Sequence, residues 1–200
     1  PLIVDGLAIV FGAGKGDKGL LAFDTESGDL KWSAPVSEQS YSSPHLLRIA
    51  DRRLVGITSD SGVDLFDPRT GELRLKHEWL HKGYRALQPI VVDGNSLIIP
   101  TGLGSGTRRI EVLSDGGALS AEETWTSRKL KPDHSDCVYF EGHLYGFDGS
   151  IFTCVDAETG LRKWKDGRQG KGQVLLLKDS RALLVTEERG EVVLLKATPE

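Results

Sequence analysis

The stretch Leu21-Ala-Phe-Asp24-Thr-Glu-Ser-Gly28-Asp-Leu-Lys-Trp32 decides the fold, because the chain contains it more than once. It returns as Asp64-Leu-Phe-Asp67-Pro-Arg-Thr-Gly71-Glu-Leu-Arg-Leu75 and as Thr153-Cys-Val-Asp156-Ala-Glu-Thr-Gly160-Leu-Arg-Lys-Trp164. A looser copy, Glu111-Val-Leu-Ser114-Asp-Gly-Gly117, lies between them, and Val192-Val-Leu-Leu-Lys196 keeps the apolar run without the turn residues. The marker positions 24, 67, 114, 156 and 196 are 43, 47, 42 and 40 residues apart. A period of roughly 40–45 residues with several short strands in each is the period of a propeller blade.

Each repeat reads as four strands. In the second they fall near His45–Ile49, Leu54–Thr58, Val63–Phe66 and Leu73–Glu78, with Ser59-Asp-Ser-Gly62 as a turn between the second and third. The Asp-to-Gly element turns the third strand into the fourth. An Asp side chain caps backbone amides two residues on, and Gly takes φ > 0 without a Cβ clash. Alternation places Val63 and Leu65 on one face and Asp64 and Phe66 on the other. Two helix candidates, Ala118–Trp125 and Lys178–Thr186, are too short or too β-branched to overrule the repeat. The expected fold is all-β: four-stranded antiparallel blades, about five of them, over residues 1–38, 39–82, 83–130, 131–170 and 171–200, the last incomplete. With sheet edges to protect, the chain reads as part of a seven- or eight-bladed ring of roughly 300–400 residues; a closed five-bladed ring is the alternative.

The pattern Ala22-x-Asp24-x-x-x-Gly28-x-x-x-Trp32, with Asp156, Thr159, Gly160 and Trp164 in the fourth repeat, resembles the pyrrolo-quinoline quinone (PQQ) type propeller repeat. In that family the Trp docks on the adjacent blade, a role the resemblance gives to Trp32 and Trp164. The second repeat has Leu75 at this place and the third Ala121; their tryptophans, Trp79 and Trp125, come eight residues after the Gly and are expected to pack elsewhere. The family includes periplasmic PQQ-dependent dehydrogenases and non-enzymatic relatives, among them a lipoprotein that assists outer-membrane β-barrel assembly. The resemblance therefore implies an extracytoplasmic, bacterial location.

The chemistry of an enzyme is hard to find. A quinoenzyme of this family implies a Ca²⁺ site of acidic and amide oxygens and often a vicinal disulfide. The single Asn, Asn95, sits in a turn, and Cys137 and Cys154 are not adjacent. Placed on the first and third strands of one blade, those cysteines would be roughly 9–10 Å apart, too far to bridge. No PQQ or calcium is expected. Gly14-Lys-Gly16-Asp-Lys-Gly19 matches G-x-G-x-x-G but leads into a strand, so no helix N-terminus faces a phosphate; Gly102–Gly106 occupies the same place in the third repeat. His77 and His81 fall on a strand and loop, not on a helix face. The basic groups Arg128–Lys131 and Arg162–Lys165, running on to Arg168 and Lys171, read as solvated faces.

With 25 Lys and Arg against 29 Asp and Glu, the charge is −4, which argues against a dedicated nucleic-acid binder. No apolar run reaches the ~18 residues of a membrane-spanning helix. The 24 glycines fit a turn-rich fold.

What exceeds structural need lies where the chain enters the first strand of each blade. There stand Tyr41, Ser43, His45, Arg85, Gln88, His134, Asp136 and Gln173, polar, aromatic and ionisable beside apolar strands. Such loops form one rim of a propeller's axis, where every blade contributes to one concavity. The expected function is a non-catalytic binding or scaffold module recognising a protein or small molecule at that rim. The alternative is a PQQ-dependent dehydrogenase or another propeller enzyme using His134 and Asp136. A third reading, an oligomer-building protein, rests on the exposed final blade.

Overall fold

A computed structural model describes residues 1–167 and 170–200, and among them every regular element is a strand. The first sheet runs β1 (Leu2–Val4), β2 (Leu7–Phe11), β3 (Leu20–Asp24), β4 (Leu30–Ala34). The second runs β5 (His45–Ile49), β6 (Arg52–Ser59), β7 (Gly62–Phe66), β8 (Leu73–Glu78). The third contains β9 (Ile90–Val92), β10 (Ser96–Thr101), β11 (Gly106–Asp115) and β12 (Ala118–Ser127). The fourth contains β13 (Val138–Phe140), β14 (His143–Asp148), β15 (Ile151–Asp156) and β16 (Arg162–Asp166). The fifth has three strands, β17 (Gly172–Leu177), β18 (Ala182–Glu187) and β19 (Val192–Lys196). In each sheet the strands neighbour one another in chain order, as a meander requires, and the fold is a β-propeller of antiparallel blades. Both helix candidates are strand: β12 covers the first and β18 most of the second. Cys137 lies one residue before β13, and both cysteines are buried and unbridged; burial pushes their thiols up to about 12 and about 11.

The chain divides into two compact units, Pro1–Ile99 with Ile110–Glu122, and Pro100–Arg109 with Glu123–Glu200. In the first unit, two apolar layers lie on either side of the second blade. Val55, Ile57 and Phe66 meet Ile9, Leu20, Ala22 and Trp32, whereas Val63, Leu65 and Leu75 meet Leu97, Ile99, Ile110 and Val112. This is the face assignment that alternation along β7 predicts. In the second unit, Tyr145, Phe147, Phe152 and Cys154 pack on Val174, Leu183 and Val185.

The Asp-to-Gly turns are the same object three times. Asp24, Asp67 and Asp156 each accept two backbone N–H groups through Oδ1, from Glu26 and Ser27, Arg69 and Thr70, and Glu158 and Thr159, at 2.8–3.1 Å. Gly28, Gly71 and Gly160 return an N–H to the Asp carbonyl at 2.9–3.0 Å with φ of +77°, +70° and +70°. The Ser27 amide, then the Glu26 amide and Lys31, hold the Asp24 carboxyl down at about 2. A register shift precedes the Asp in all three copies.

Two of these glycines have a second job. A Cβ on Gly71 would lie 2.5 Å from the Trp32 ring, and Trp32 Nε1 donates to the Pro68 carbonyl at 3.1 Å. The repeat's Gly is thus the floor on which the preceding blade's Trp lies. Trp125, expected to pack elsewhere, does the same on Gly160. The corresponding Cβ would be 2.9 Å away, and Nε1 donates to the Ala157 carbonyl at 3.3 Å. Counting four residues from Gly117 misassigned the position to Ala121, because β11 and β12 run ten residues each and carry their turn further out. A built Cβ on Gly62 meets the His77 carbonyl, and one on Gly106 meets that of Ser127, so the two hairpins share a frame in which Trp125 stands where Leu75 does. Trp164 donates to the Thr198 carbonyl at 2.9 Å. Trp79 does differ: it packs at the edge of the second apolar layer, its ring 4.9 Å from the Arg85 guanidinium.

Candidate functional site

The entry loops have a period-two burial of their own, which shifts phase by one residue where each loop becomes strand. In the loop before β5, Ser40, Ser42 and Pro44 are buried while Tyr41, Ser43 and His45 are exposed. In the loop before β9, Arg85, Leu87 and Pro89 are buried and Gln88 is half-buried. In the loop before β13, Ser135 and Cys137 are buried and His134 and Asp136 exposed, and Gln173 is exposed on β17. An extended backbone with one face on apolar strands forces this alternation.

The buried face ties the loops down. Ser40 Oγ donates to the Thr58 carbonyl at 2.6 Å and Thr58 Oγ1 to that of Leu87 at 2.7 Å. Ser40 and Arg85 form a parallel bridge, and the Tyr41 N–H reaches the Arg85 carbonyl at 2.9 Å. Arg85 itself is 1% exposed. Its guanidinium donates to the Ser59 carbonyl, and to that of Trp79 at 2.5 Å, and lies over the Trp79 ring. A planar fork with several donors suits two carbonyls and an aromatic face at once. Arg85, singled out by sequence as a rim group, is therefore turned inward. His81, in the same region, has its imidazole held below the usual range by burial and then by Arg85.

The two glutamines play equivalent parts. Gln88 Nε2 reaches the Ser43 carbonyl at 3.4 Å, and in the second unit Gln173 Nε2 reaches that of His134 at 3.3 Å while its Oε1 accepts the Asp136 N–H at 3.4 Å. Each connects one entry loop to the preceding one. In the second unit Asp133 accepts the Leu103 N–H at 3.1 Å and pairs with Lys171 at 2.9 Å, so the Gly102–Gly106 loop is pinned by a carboxylate. Arg168 of the basic run lies outside the described residues.

What the loops leave to solvent in the first unit is an aromatic pair. Tyr41 is 70% exposed, and its ring centroid sits 4.1 Å from that of Tyr84. Ser43 and His45 line up on the same exposed edge by alternation. Tyr84 escaped selection from sequence because only the pairing of the two loops brings it beside Tyr41.

The other hollows do not carry the expected chemistry. Gly14 and Gly16 border a cavity of about 370 Å³ whose charged lining is two carboxylates, Glu38 and Asp60, against one ammonium, Lys15. A larger one, about 540 Å³, lies at the turns opposite the entry loops in the second unit, bordered by Glu141, His143, Tyr145 and Arg181, where Arg181 grips Glu141 with both nitrogens. Sequence reading missed it because its residues come from turns 40 apart. Calcium takes six to eight oxygens, yet among the described residues no three His, Cys, Asp or Glu side chains gather to hold a metal ion. No helix of the described residues is long and apolar enough to cross a membrane.

Comparison with solved structures finds the same fold in three very different settings. The computationally designed Ika8 protein matches with a TM-score of 0.63 at 13% identity, over all of this chain and 58% of that one. The Cps50 (Swd1) β-propeller domain of Myceliophteria thermophila matches with a TM-score of 0.52 at 13% identity, over 92% of this chain and 62% of that one. A europium-containing methanol dehydrogenase matches with a TM-score of 0.53 at 13% identity, over 86% of this chain and 45% of that one. At this identity the likeness is one of fold. Comparison with curated protein sequences gives no significant match. The family profile described as outer membrane protein assembly factor BamB matches residues 1–104, just over half of the chain. The repeats, their Asp-to-Gly turns and this match together place the chain in the BamB family of PQQ-like β-propellers.

Proposed function

We propose that this chain is a non-catalytic binding module that recognises a segment of a protein partner at its entry loops, in an extracytoplasmic compartment, as part of outer-membrane protein assembly. The family's description supplies the process. The observation that carries the reading is the division of labour along the loop before β5: Ser40 and Ser42 are buried and bonded, while Tyr41 stays 70% exposed on Tyr84. Folding alone gains nothing from an exposed aromatic, whereas a ring already held in place loses little entropy on binding and offers both an apolar face and a hydroxyl. His45 and Ser43 in the first unit, and His134, Asp136 and Gln173 in the second, give each unit polar neighbours for a peptide backbone.

The test is binding of a fluorescently labelled, urea-unfolded outer-membrane β-barrel polypeptide, diluted into the purified chain. Micromolar binding that Tyr41→Ala weakens about tenfold is expected, since aromatic anchors dominate such interfaces. Equal binding by Tyr41→Ala and the parent chain overturns the proposal. So does dye reduction on addition of PQQ, Ca²⁺ and an alcohol that is lost in Asp136→Ala, which establishes the enzyme instead.

A further inference from the structure

The outer hairpin of the third blade differs from its counterparts in length and in chemistry. β11 and β12 span ten residues each, whereas β4, β8 and β16 span five or six. Ile110 and Val112 on one arm and Leu119 and Ala121 on the other pack into the layer that holds Leu75. Arg74 donates to the Gly117 carbonyl at 3.2 Å, so the tip is fastened too. Alternation then turns Glu111, Leu113, Ser120 and Glu122 to the opposite face, and all four are exposed, as is Asp115 at the tip.

β12 is the last strand of its sheet, and among the described residues no strand pairs with its outer edge. Exposed edges invite strand addition, and proteins blunt them with short strands, Lys or Pro. The other outer strands obey: they are short and carry Lys31, Arg74 and Lys76, and Arg162, Lys163 and Lys165. The stretch 118–127 has no Lys, Arg or Pro, and its charges are Glu122 and Glu123. A long, fastened edge without the usual protection is a template for pairing.

We propose that residues 118–122 accept an extended, basic segment of a partner protein by strand addition, with Glu111, Asp115 and Glu122 meeting its lysines or arginines. Main-chain hydrogen bonds would supply affinity and the acidic side chains the choice of partner. A second copy of this chain is disfavoured as occupant, because it would bring a second set of the same acidic groups, Glu111, Asp115 and Glu122, to an edge that already carries them. This edge is separate from the entry loops, and the two sites stand or fall independently.

The test uses three labelled octapeptides with the purified chain: alternating Lys and Thr, alternating Glu and Thr, and the Lys–Thr peptide methylated on its backbone nitrogens. The first is expected to bind and to slow hydrogen exchange at amides 118–122, and the other two are not. Glu111→Lys with Glu122→Lys, both at exposed positions, is expected to weaken binding roughly tenfold, since Glu122 becomes a like charge beside the added strand and Glu111, one strand further in on the same face, reverses the field next to it. Tyr41→Ala is expected to leave it unchanged. Absence of binding, equal binding of the acidic peptide, protection elsewhere in the chain, or a dimer that protects 118–122 without peptide each overturns the proposal.

Discussion

Asp64 is an ionisable group buried inside the second blade. It lies on β7 and is 5% exposed, and its Oδ1 has no hydrogen-bond partner among the described residues. Its neighbour Phe66 on the same face enters the layer between the first two blades. Across the ladder stands Lys76, whose ammonium pairs with Glu78 at 3.6 Å. Burial raises the carboxyl from its ordinary 3.8 to about 6, with Lys76 opposing and Glu78 adding to the rise. The folded chain therefore binds the proton more tightly than the unfolded chain does. Any stability from the protonated form is fully present below about pH 4 and is lost as the pH rises through about 6. At 1.36 kcal/mol per pH unit, the ionised carboxylate costs roughly 3 kcal/mol above about pH 7. Asp64→Asn removes this titration at nearly constant volume. Its stability relative to the parent chain should rise by roughly 3 kcal/mol between about pH 4 and about pH 8, whatever constant offset the amide introduces. Urea unfolding of both proteins across that range measures it, and the other carboxylates cancel in the difference. A difference that stays constant with pH, or a carboxyl carbon resonance of Asp64 titrating near 4, refutes the reasoning.

Three further outcomes follow from the packing. Trp32→Ala should cost about 3–5 kcal/mol and Trp125→Ala, which is half-buried, about 2, both read by urea unfolding; a negligible loss at Trp125 would show that it does not dock on Gly160. Gly71→Ala should destabilise clearly more than Gly28→Ala, since both take φ > 0 but only Gly71 lies under a Trp ring, so equal thermal shifts would contradict the second role of Gly71. Arg85→Met strands the Ser59 and Trp79 carbonyls and should lose about 3 kcal/mol or more, whereas Tyr41→Ala should stay within about 0.5 kcal/mol in the same unfolding assay. The reverse order would place Arg85 in solvent.

Much of the fold is legible in one dimension because its causes are local. Asp24, Asp67 and Asp156 cap amides two and three residues away, and Gly28, Gly71 and Gly160 need φ > 0 whatever surrounds them, so the turns, the blade period and the faces of β7 can be read by counting. The candidate site is legible only as a set of positions. Tyr41, His134 and Asp136 are exposed, as their residue types suggest, but the same reasoning placed Arg85 among them, and the structure turns it inward onto Ser59 and Trp79. Counting also failed at Trp125, because a longer hairpin shifts a residue along the chain without moving it in space. Sequence by itself determined the blades, since each is made by pairing strands that follow one another in the chain. Tertiary structure alone decided that Trp125 docks as Trp32 does, which polar side chain is buried and which strand edge is left open, because those depend on the neighbouring blade some forty residues away.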